Sequence, residues 1–178
     1  MPVPLFVCHA NCCRSVLAQY LYEDLSAASY ALSAGIEVGD EINDRAAAML
    51  RGWGIDASGH QPRALTRSLC DRADSIFLMG PDYLRQLLAR HGMDLAGKAY
   101  LFADPFSLPA SFHNGEYLVF DPSFDTRPVA VLMEKFAWFR ERVAQIHAAL
   151  MGKGRPLVPA ARYLALLGTR PHQSGEAV

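Results

Sequence analysis

The chain has almost no excess charge of either sign. Its 178 residues include 17 Lys and Arg and 18 Asp and Glu, which gives a formal net charge of −1. Nucleic acids and anionic membrane surfaces select basic proteins through their phosphate groups, so we expect neither as a partner. With 51% hydrophobic residues, the composition is typical of a folded globular protein.

Long hydrophobic runs are also missing from the sequence. No stretch reaches the ~20 apolar residues that a membrane-spanning helix needs. The first residues lack the basic segment, apolar core and small-residue cleavage site of a signal peptide. We therefore expect a cytoplasmic protein.

Cysteine is scarce and unevenly placed. The four cysteines are Cys8, Cys12, Cys13 and Cys70, and three of them crowd into six positions. This spacing is unlike the disulfide framework of a small secreted protein. A zinc site that includes His9 lacks a second pair of ligands, so we expect no metal and no cofactor.

The crowded cysteines lie in one segment, residues 8–15, around which the chain is organised. The apolar run 3–7 before it predicts a strand. Apolar residues at helical spacing follow it, namely Val16, Leu17, Tyr20, Leu21 and Leu25. Cys8 therefore ends a strand, and Arg14 lies six positions later where a helix begins.

This arrangement has a chemical meaning. A helix N-terminus offers unpaired N–H groups and a partial positive charge, and a loop that closes onto it can surround an oxyanion with amides. The same surroundings stabilise a cysteine thiolate. The planar fork of Arg14 can hold two oxygens of a tetrahedral anion. The spacing thus predicts Cys8 as a nucleophile that attacks a bound phosphate and forms a phosphocysteine intermediate.

The rest of the chain alternates between strand and helix patterns. We predict further strands over 30–33, 74–79 and 99–102, helices over 44–51, 81–92 and 132–150, and irregular segments over 55–63 and 104–125. This order predicts a single α/β domain with a central four-stranded parallel sheet and helices on both faces. The active site should lie at the carboxyl ends of the strands.

The sequence Cys-His-Ala-Asn-Cys-Cys-Arg-Ser over residues 8–15 fits the Cys-x5-Arg-Ser signature of phosphatases that use cysteine. Its place after the first strand resembles the low-molecular-weight protein tyrosine phosphatase family, with Ala10 where that family has Gly and Val16 where it has Pro. Other similar segments are Ser33-Ala34-Gly35, Asp44-Arg45-Ala46, Gly54-Ile55, His60, Leu78-Met79 and Asp121-Pro122. The resemblance covers residues 3–151 and implies a phosphotyrosine phosphatase I-like fold with flavodoxin-like winding. We therefore predict a phosphatase domain over 1–151 and an extension over 152–178, with a short helix near 160–167 and a frayed tail.

The resemblance also implies roles for the loop residues. Those expected to bind substrate are His9, Ala10, Asn11, Cys12, Cys13, Arg14 and Ser15. Ser15 is expected to donate a hydrogen bond to the thiolate, and Asn11 to brace the turn in a left-handed conformation. If the position of Ala10 required a positive φ, its Cβ would cost about 1–2 kcal/mol.

The family implies an aspartic acid that protonates the leaving oxygen and comes from an Asp-Pro loop. Asp104, Asp121 and Asp125 compete for this role. We favour Asp121, because a loop that leads into the last helix can fold back over the phosphate site. Phe124 either stacks on a substrate ring or fixes the last helix, and both interpretations stay open.

The resemblance implies a redox role for a second cysteine. Cys13 matches a family cysteine that forms a reversible disulfide with the nucleophile under oxidation. Cys12 is a second candidate for this disulfide. It also occupies a loop position whose side chain, in relatives, helps to separate tyrosine from arginine phosphatases.

We expect a phosphomonoester hydrolase that acts on a phosphorylated protein, with phosphotyrosine favoured, or on a small aryl phosphate. Oxyanions such as phosphate should inhibit it. Two alternatives stay open. One is an arsenate reductase, for which Cys70 is the only relay cysteine outside the loop. The other is a non-catalytic phosphate-binding interaction module, which the altered loop and the extension suggest.

Overall fold

Strand β1 (Pro4–Cys8) lies inside a four-stranded sheet with β2 (Leu32–Gly35), β3 (Ser75–Leu78) and β4 (Ala99–Leu101). All pairings are parallel and the strand order is β2-β1-β3-β4. The structure is a computed structural model, and it describes residues 1–103 and 119–163. Within these residues the predicted α/β domain with a four-stranded parallel sheet is confirmed.

Helices cover both faces of the sheet. They are α1 (Arg14–Asp24), α2 (Asp44–Gly52), α3 (Arg67–Arg72), α4 (Pro81–His91), α5 (Val129–Lys135) and α6 (Ala137–Leu150). Short 3-10 helices cover Met93–Gly97, Pro122–Phe124 and Ala160–Tyr163. The prediction for 104–125 falls mostly outside the described residues.

The alternation of side chains along β1 separates the core into two layers. Phe6 and Cys8 belong to one buried cluster, whereas Leu5 and Val7 belong to the other. The first layer includes Leu17, Met49, Leu132, Phe139 and Ile146 from α1, α2, α5 and α6. The second includes Leu69, Cys70, Leu84, Leu87 and Leu88 from α3 and α4. The strands are buried on both sides, as parallel strands between helical layers should be.

Gly35 ends β2 directly beside the loop that follows β1. A Cβ at this position would lie 2.7 Å from the carbonyl carbon of Ala10 and 2.8 Å from the amide nitrogen of Asn11. Only glycine therefore lets β2 approach the loop so closely. This contact places the loop at the carboxyl end of the sheet, where we predicted the active site.

Two predicted helices agree with the structure in detail. Asn43 caps α2, and its side chain accepts a hydrogen bond from the amide of Arg45 at 3.0 Å. Pro81 occupies the first turn of α4, whose inward residues Leu84 and Leu87 are fully buried. At these two helices the capping residue and the N-terminal proline each marked the start correctly.

The prediction of one continuous helix over 132–150 is wrong. Helical structure begins earlier, at Val129, and is interrupted at Phe136, whose φ is −94° and ψ is 8°. The Phe136 ring is fully buried, with its centroid 5.4 Å from that of Phe139. The amide of Phe136 still donates to the carbonyl of Leu132 at 2.8 Å, and the amide of Arg140 donates to the carbonyl of Phe136 at 3.3 Å, so the interruption is a local change in backbone angles.

Helix α3 was missed because it has six residues, only two of them apolar. Thr66 marks its start, and the Oγ1 of Thr66 accepts a hydrogen bond from the amide of Leu69 at 3.2 Å. Within the proposed extension, Ala160 is fully buried in the core layer that contains Leu95 and Leu101. The boundary at 151/152 stays a prediction, and the frayed tail falls outside the described residues.

No helix in the described ranges 1–103 and 119–163 is long and apolar enough to cross a membrane.

The cap of α3 gives a stability test. We expect Thr66→Ala to lower the free energy of unfolding by about 1 kcal/mol, because it removes the acceptor for a helix-terminal amide. Ser68→Ala, at an exposed position inside the same helix, should change it by less than about 0.5 kcal/mol. Urea denaturation measures both variants. Equal stability of Thr66→Ala and the wild-type protein would show that the cap contributes nothing.

Candidate active site

The carbonyl oxygens of residues 8–13 all accept hydrogen bonds from outside their own loop. The carbonyls of Cys8, His9 and Ala10 accept from the amides of Ile36 at 3.1 Å, Glu37 at 2.9 Å and Gly39 at 2.9 Å, respectively. The carbonyl of Asn11 accepts from the Nε2 of His60 at 3.0 Å. The carbonyls of Cys12 and Cys13 accept from the amides of Asn43 at 2.9 Å and Leu17 at 2.8 Å, respectively. In a trans peptide the N–H points opposite to the carbonyl of the same unit. The N–H groups of residues 9–14 therefore point into the loop, where they form a concave site for an oxyanion.

Asn11 holds the turn of this loop. It has a φ of 56° and is the only non-glycine residue with positive φ among those described. Asparagine tolerates this conformation better than most residues. Ala10, at the position where the family has Gly, has no positive φ, so the strain that we considered for its Cβ does not arise.

The hydrogen bonds of the Asn11 side chain have a defined direction. Its Oδ1 accepts from the backbone amide of Arg63 at 3.0 Å, which can only donate. Its Nδ2 therefore donates to the hydroxyls of Ser15 at 3.0 Å and Ser33 at 2.8 Å. Since Ser15 Oγ accepts from Asn11, its own proton is free for Cys8 Sγ, which lies 3.0 Å away. A donor placed against the sulfur suits a thiolate, which can accept but not donate.

The other loop thiols are less suited to act as nucleophiles. Burial, reinforced by the nearby Asp121, raises the pKa of Cys13 far above its ordinary range. Burial also raises the pKa of Cys12, with a further contribution from Cys8. All four cysteines are free thiols in the structure. A disulfide between Cys8 and either neighbour stays a prediction.

Arg14 begins α1 and is 4% exposed. Its Nη1 donates to the carbonyl of Val119 at 3.1 Å, and its Nη2 donates to Tyr83 Oη at 3.2 Å. Nη2 also forms an ion pair with Asp121 Oδ2 at 2.7 Å. Its buried Nε has no hydrogen-bond partner among the described residues. An arginine held this firmly, with an unused donor, can bind an oxygen of an anion in the loop.

Asp121 lies at the site, as its position in the sequence predicted. Its Oδ2 contacts Arg14, and its Oδ1 accepts hydrogen bonds from the amide of Ser123 at 3.0 Å and the hydroxyl of Ser123 at 2.6 Å. The hydrogen bonds that Arg127 donates to Asp125 hold the pKa of Asp125 below its ordinary range, so Asp125 is a poor proton donor. Asp104 falls outside the described residues.

The loop opens into a cavity of about 210 Å³. Its lining includes Cys8, His9, Ala10, Cys12, Cys13, Arg14, Asn43, Asp121, Ser123 and Phe124. The side chains of Asn11 and Ser15 are fully buried beneath the loop and do not line this cavity. Phe124 is 92% exposed at the rim, so the structure does not use it to fix the last helix.

Sequence reasoning assigned no role to several residues that support the loop. Ser33 and Arg63 form hydrogen bonds with the Asn11 side chain, and His60 forms one with the Asn11 carbonyl. Tyr83 forms a hydrogen bond with Arg14, and Ser123 forms hydrogen bonds with Asp121. Ser33 and Tyr83 lie close to the carboxyl ends of β2 and β3, which is the available signal for them. Among the described residues, no group of three or more His, Cys, Asp or Glu side chains is arranged to hold a metal ion.

His60 gives the site a pH-dependent stability. Burial lowers its pKa below the ordinary value, so the unfolded chain binds a proton more readily than the folded chain does. The free energy of unfolding should therefore fall as the pH is lowered from about 7 to 5. We expect His60→Gln to reduce this dependence in urea denaturation at several pH values. An unchanged slope in His60→Gln would contradict this role.

Comparison with curated proteins identifies relatives over part of the chain. A protein from Ralstonia solanacearum named "Probable low molecular weight protein-tyrosine-phosphatase EpsP" is 39% identical over 89 residues. The aligned part is 49% of this chain and spans 61% of that relative.

Solved structures of similar fold cover more of the chain. Wzb from Vibrio vulnificus, in complex with benzylphosphonate, has a TM-score of 0.67 at 22% identity and covers 82% of this chain and 97% of its own. The YwlE arginine phosphatase from Geobacillus stearothermophilus has a TM-score of 0.69 at 21% identity, and the match covers 86% of this chain and 95% of the YwlE chain. At these identities the similarity establishes the fold alone.

The match to a family model covers most of the chain. The model is described as low molecular weight phosphotyrosine protein phosphatase, and it matches residues 4–150. This range contains the loop, Arg14 and Asp121, and it agrees with the resemblance found in the sequence. The chain belongs to the low molecular weight phosphotyrosine protein phosphatase family.

Proposed function

We propose that this protein hydrolyses phosphomonoesters through a phosphocysteine intermediate on Cys8. The observation that carries the proposal is the loop of inward amides closed around the Cys8 sulfur. The Nε of Arg14, which has no hydrogen-bond partner among the described residues, adds a positively charged hydrogen-bond donor beside this loop. A phosphate dianion supplies the acceptors that these groups lack.

In the first step the Cys8 thiolate attacks phosphorus, and the bond from phosphorus to the leaving oxygen breaks. The Asp121 carboxyl gives its proton to that oxygen, so the alcohol leaves neutral. In the second step the Asp121 carboxylate takes a proton from water, and the resulting hydroxide attacks phosphorus. The sulfur–phosphorus bond breaks, and the thiolate and inorganic phosphate are released.

The pair between Arg14 and Asp121 connects binding to proton transfer. Its Nη2 to Oδ2 distance is 2.7 Å, and the Asp121 side chain is 32% exposed whereas Arg14 is almost fully buried. A bound phosphoryl group competes with Asp121 for the guanidinium. The more exposed Asp121 is the partner that moves, and it then faces the leaving oxygen above the phosphate.

The preferred substrate in this proposal is a phosphotyrosine side chain of a protein, or a small aryl phosphate. The exposed ring of Phe124 at the rim can stack on an aromatic leaving group. Glu37 near the loop is paired with Arg90 at 3.3 Å, which weakens its repulsion of an acidic peptide. The name of the Ralstonia relative supports the same substrate class.

The position of Cys70 argues against arsenate reduction by a cysteine relay. Cys70 is fully buried in the core layer that contains Leu5 and Val7. Cys8 belongs to the layer on the opposite face of the sheet. Electron transfer between these thiols would require a disulfide across the sheet, which the fold does not permit without rearrangement.

The main test is hydrolysis of p-nitrophenyl phosphate. We expect the wild-type protein to be active and Cys8→Ser to lose at least about a thousandfold in kcat, because a serine hydroxyl is a much weaker nucleophile than a thiolate. Cys70→Ser, a buried cysteine outside the loop, should keep the wild-type rate. Wild-type activity in Cys8→Ser would rule out the nucleophile, and an inactive wild-type protein would favour the non-catalytic binding module.

Asp121 is tested with aryl phosphates whose leaving groups differ in pKa. We expect Asp121→Asn to lower kcat/KM about a hundredfold for phenyl phosphate, and much less for esters of acidic phenols, because kcat/KM reports the first step, in which only a basic leaving oxygen needs a proton. Asp125→Asn should stay within about twofold of the wild-type rate, since a mutation outside the proton path removes no catalytic group. The assignment fails if both variants show the same dependence on the leaving group.

A further inference from the structure

We infer that Tyr83 is a positioning residue for Arg14, an inference that rests on the proposed function. Tyr83 Oη accepts a hydrogen bond from Arg14 Nη2 at 3.2 Å. The Tyr83 ring centroid lies 5.7 Å from Arg14 Cζ, within the range of a cation–π contact. Both contacts act on the guanidinium that the loop presents to the anion.

The Tyr83 ring is attached to the rigid part of the fold. Tyr83 lies in the first turn of α4, shortly after the carboxyl end of β3. Its partly buried ring packs against both core layers. The hydroxyl is therefore positioned by the sheet and α4, independently of the loop that carries Asp121.

This independence matters because the two acceptors of Arg14 Nη2, Asp121 and Tyr83, have different roles in the proposed reaction. Asp121 must exchange a proton with the leaving oxygen and then with water, so it cannot remain paired with Nη2 throughout the cycle. Tyr83 has no such duty. When Asp121 turns to the leaving oxygen, Nη2 still donates to Tyr83 Oη and Nη1 still donates to the carbonyl of Val119. These two hydrogen bonds keep the guanidinium in the same orientation.

The orientation of the guanidinium decides how well it binds a phosphoryl group. Nε and Nη2 form one edge of the planar fork and can bind two oxygens side by side. Nε is free for this purpose among the described contacts. Because Tyr83 restrains Nη2, it keeps that edge aligned with the loop amides. Tyr83 thus contributes to phosphate binding through Arg14 and not by contact with the reacting atoms.

The experiment compares Tyr83→Phe with the wild-type protein. The variant keeps the ring and removes only the hydroxyl. We expect kcat/KM for p-nitrophenyl phosphate to fall about three- to tenfold, as for loss of one hydrogen bond of typical strength. The loss should be equal for good and poor leaving groups, unlike that of Asp121→Asn, since proton transfer is not affected.

A double-mutant cycle identifies the route of the effect. In an Arg14→Lys background, adding Tyr83→Phe should lower kcat/KM by less than about twofold, because the fork that Tyr83 aligns is gone. Tyr100→Phe, a partly buried tyrosine on β4, is the matched control and should keep the wild-type rate. The urea midpoint of Tyr83→Phe should equal that of Tyr100→Phe.

Binding of inorganic phosphate by calorimetry tests Tyr83 without catalysis. We expect the dissociation constant to rise about three- to tenfold in Tyr83→Phe. If phosphate binds and Tyr83→Phe binds it as the wild-type protein does, or if the loss of kcat/KM is the same in the Arg14→Lys background, the inference is overturned. An inactive wild-type protein whose phosphate binding still depends on Tyr83 would overturn the proposed function alone.

Discussion

The hydrogen bonds of the Asn11 side chain connect the phosphate loop to the rest of the fold. Oδ1 accepts a hydrogen bond from the amide of Arg63, and Nδ2 donates hydrogen bonds to the hydroxyls of Ser15 and Ser33. These contacts keep Asn11 at a φ of 56°, which turns the backbone so that the loop amides face inward. The same network leaves the Ser15 proton for the Cys8 sulfur. Anion binding and the nucleophile therefore depend on one buried amide.

Positive charge at the site is concentrated on Arg14, which is fixed from several directions. Val119, Tyr83 and Asp121 each accept from its guanidinium. Two of these acceptors are a backbone carbonyl and a hydroxyl, while Asp121 is the acceptor that a phosphate must replace. The fold thus combines a permanent support for Arg14 with one exchangeable partner, and the exchangeable partner is the residue that the proposed mechanism uses as acid and base.

The sequence predicted the parts of the site that lie in one segment or follow a strand. Cys8, Arg14 and Ser15 are brought together by a single strand–loop–helix unit, so their spacing was sufficient. Asp121 was predicted from its motif and its place before the last helices. Contacts between residues far apart in the sequence, such as Tyr83 and Arg14, could not be predicted. Local sequence patterns predict strands and helices, but they do not indicate which side chains meet at the end of a sheet. The break at Phe136 was missed because Leu132, Phe136 and Phe139 keep helical spacing across it, so the sequence pattern does not mark the change in backbone angles.

The most direct test of the account is to identify the phosphorylated atom during turnover. An aryl phosphate is mixed with Asp121→Asn, which slows breakdown of the intermediate, and the reaction is stopped rapidly. Fragmentation of the peptide that contains residues 8–15 then distinguishes Cys8 from Cys12 and Cys13 by mass spectrometry. The account predicts one phosphoryl group on the sulfur of Cys8. A phosphoryl group on Cys12, on Cys13 or on no cysteine during active turnover would contradict it.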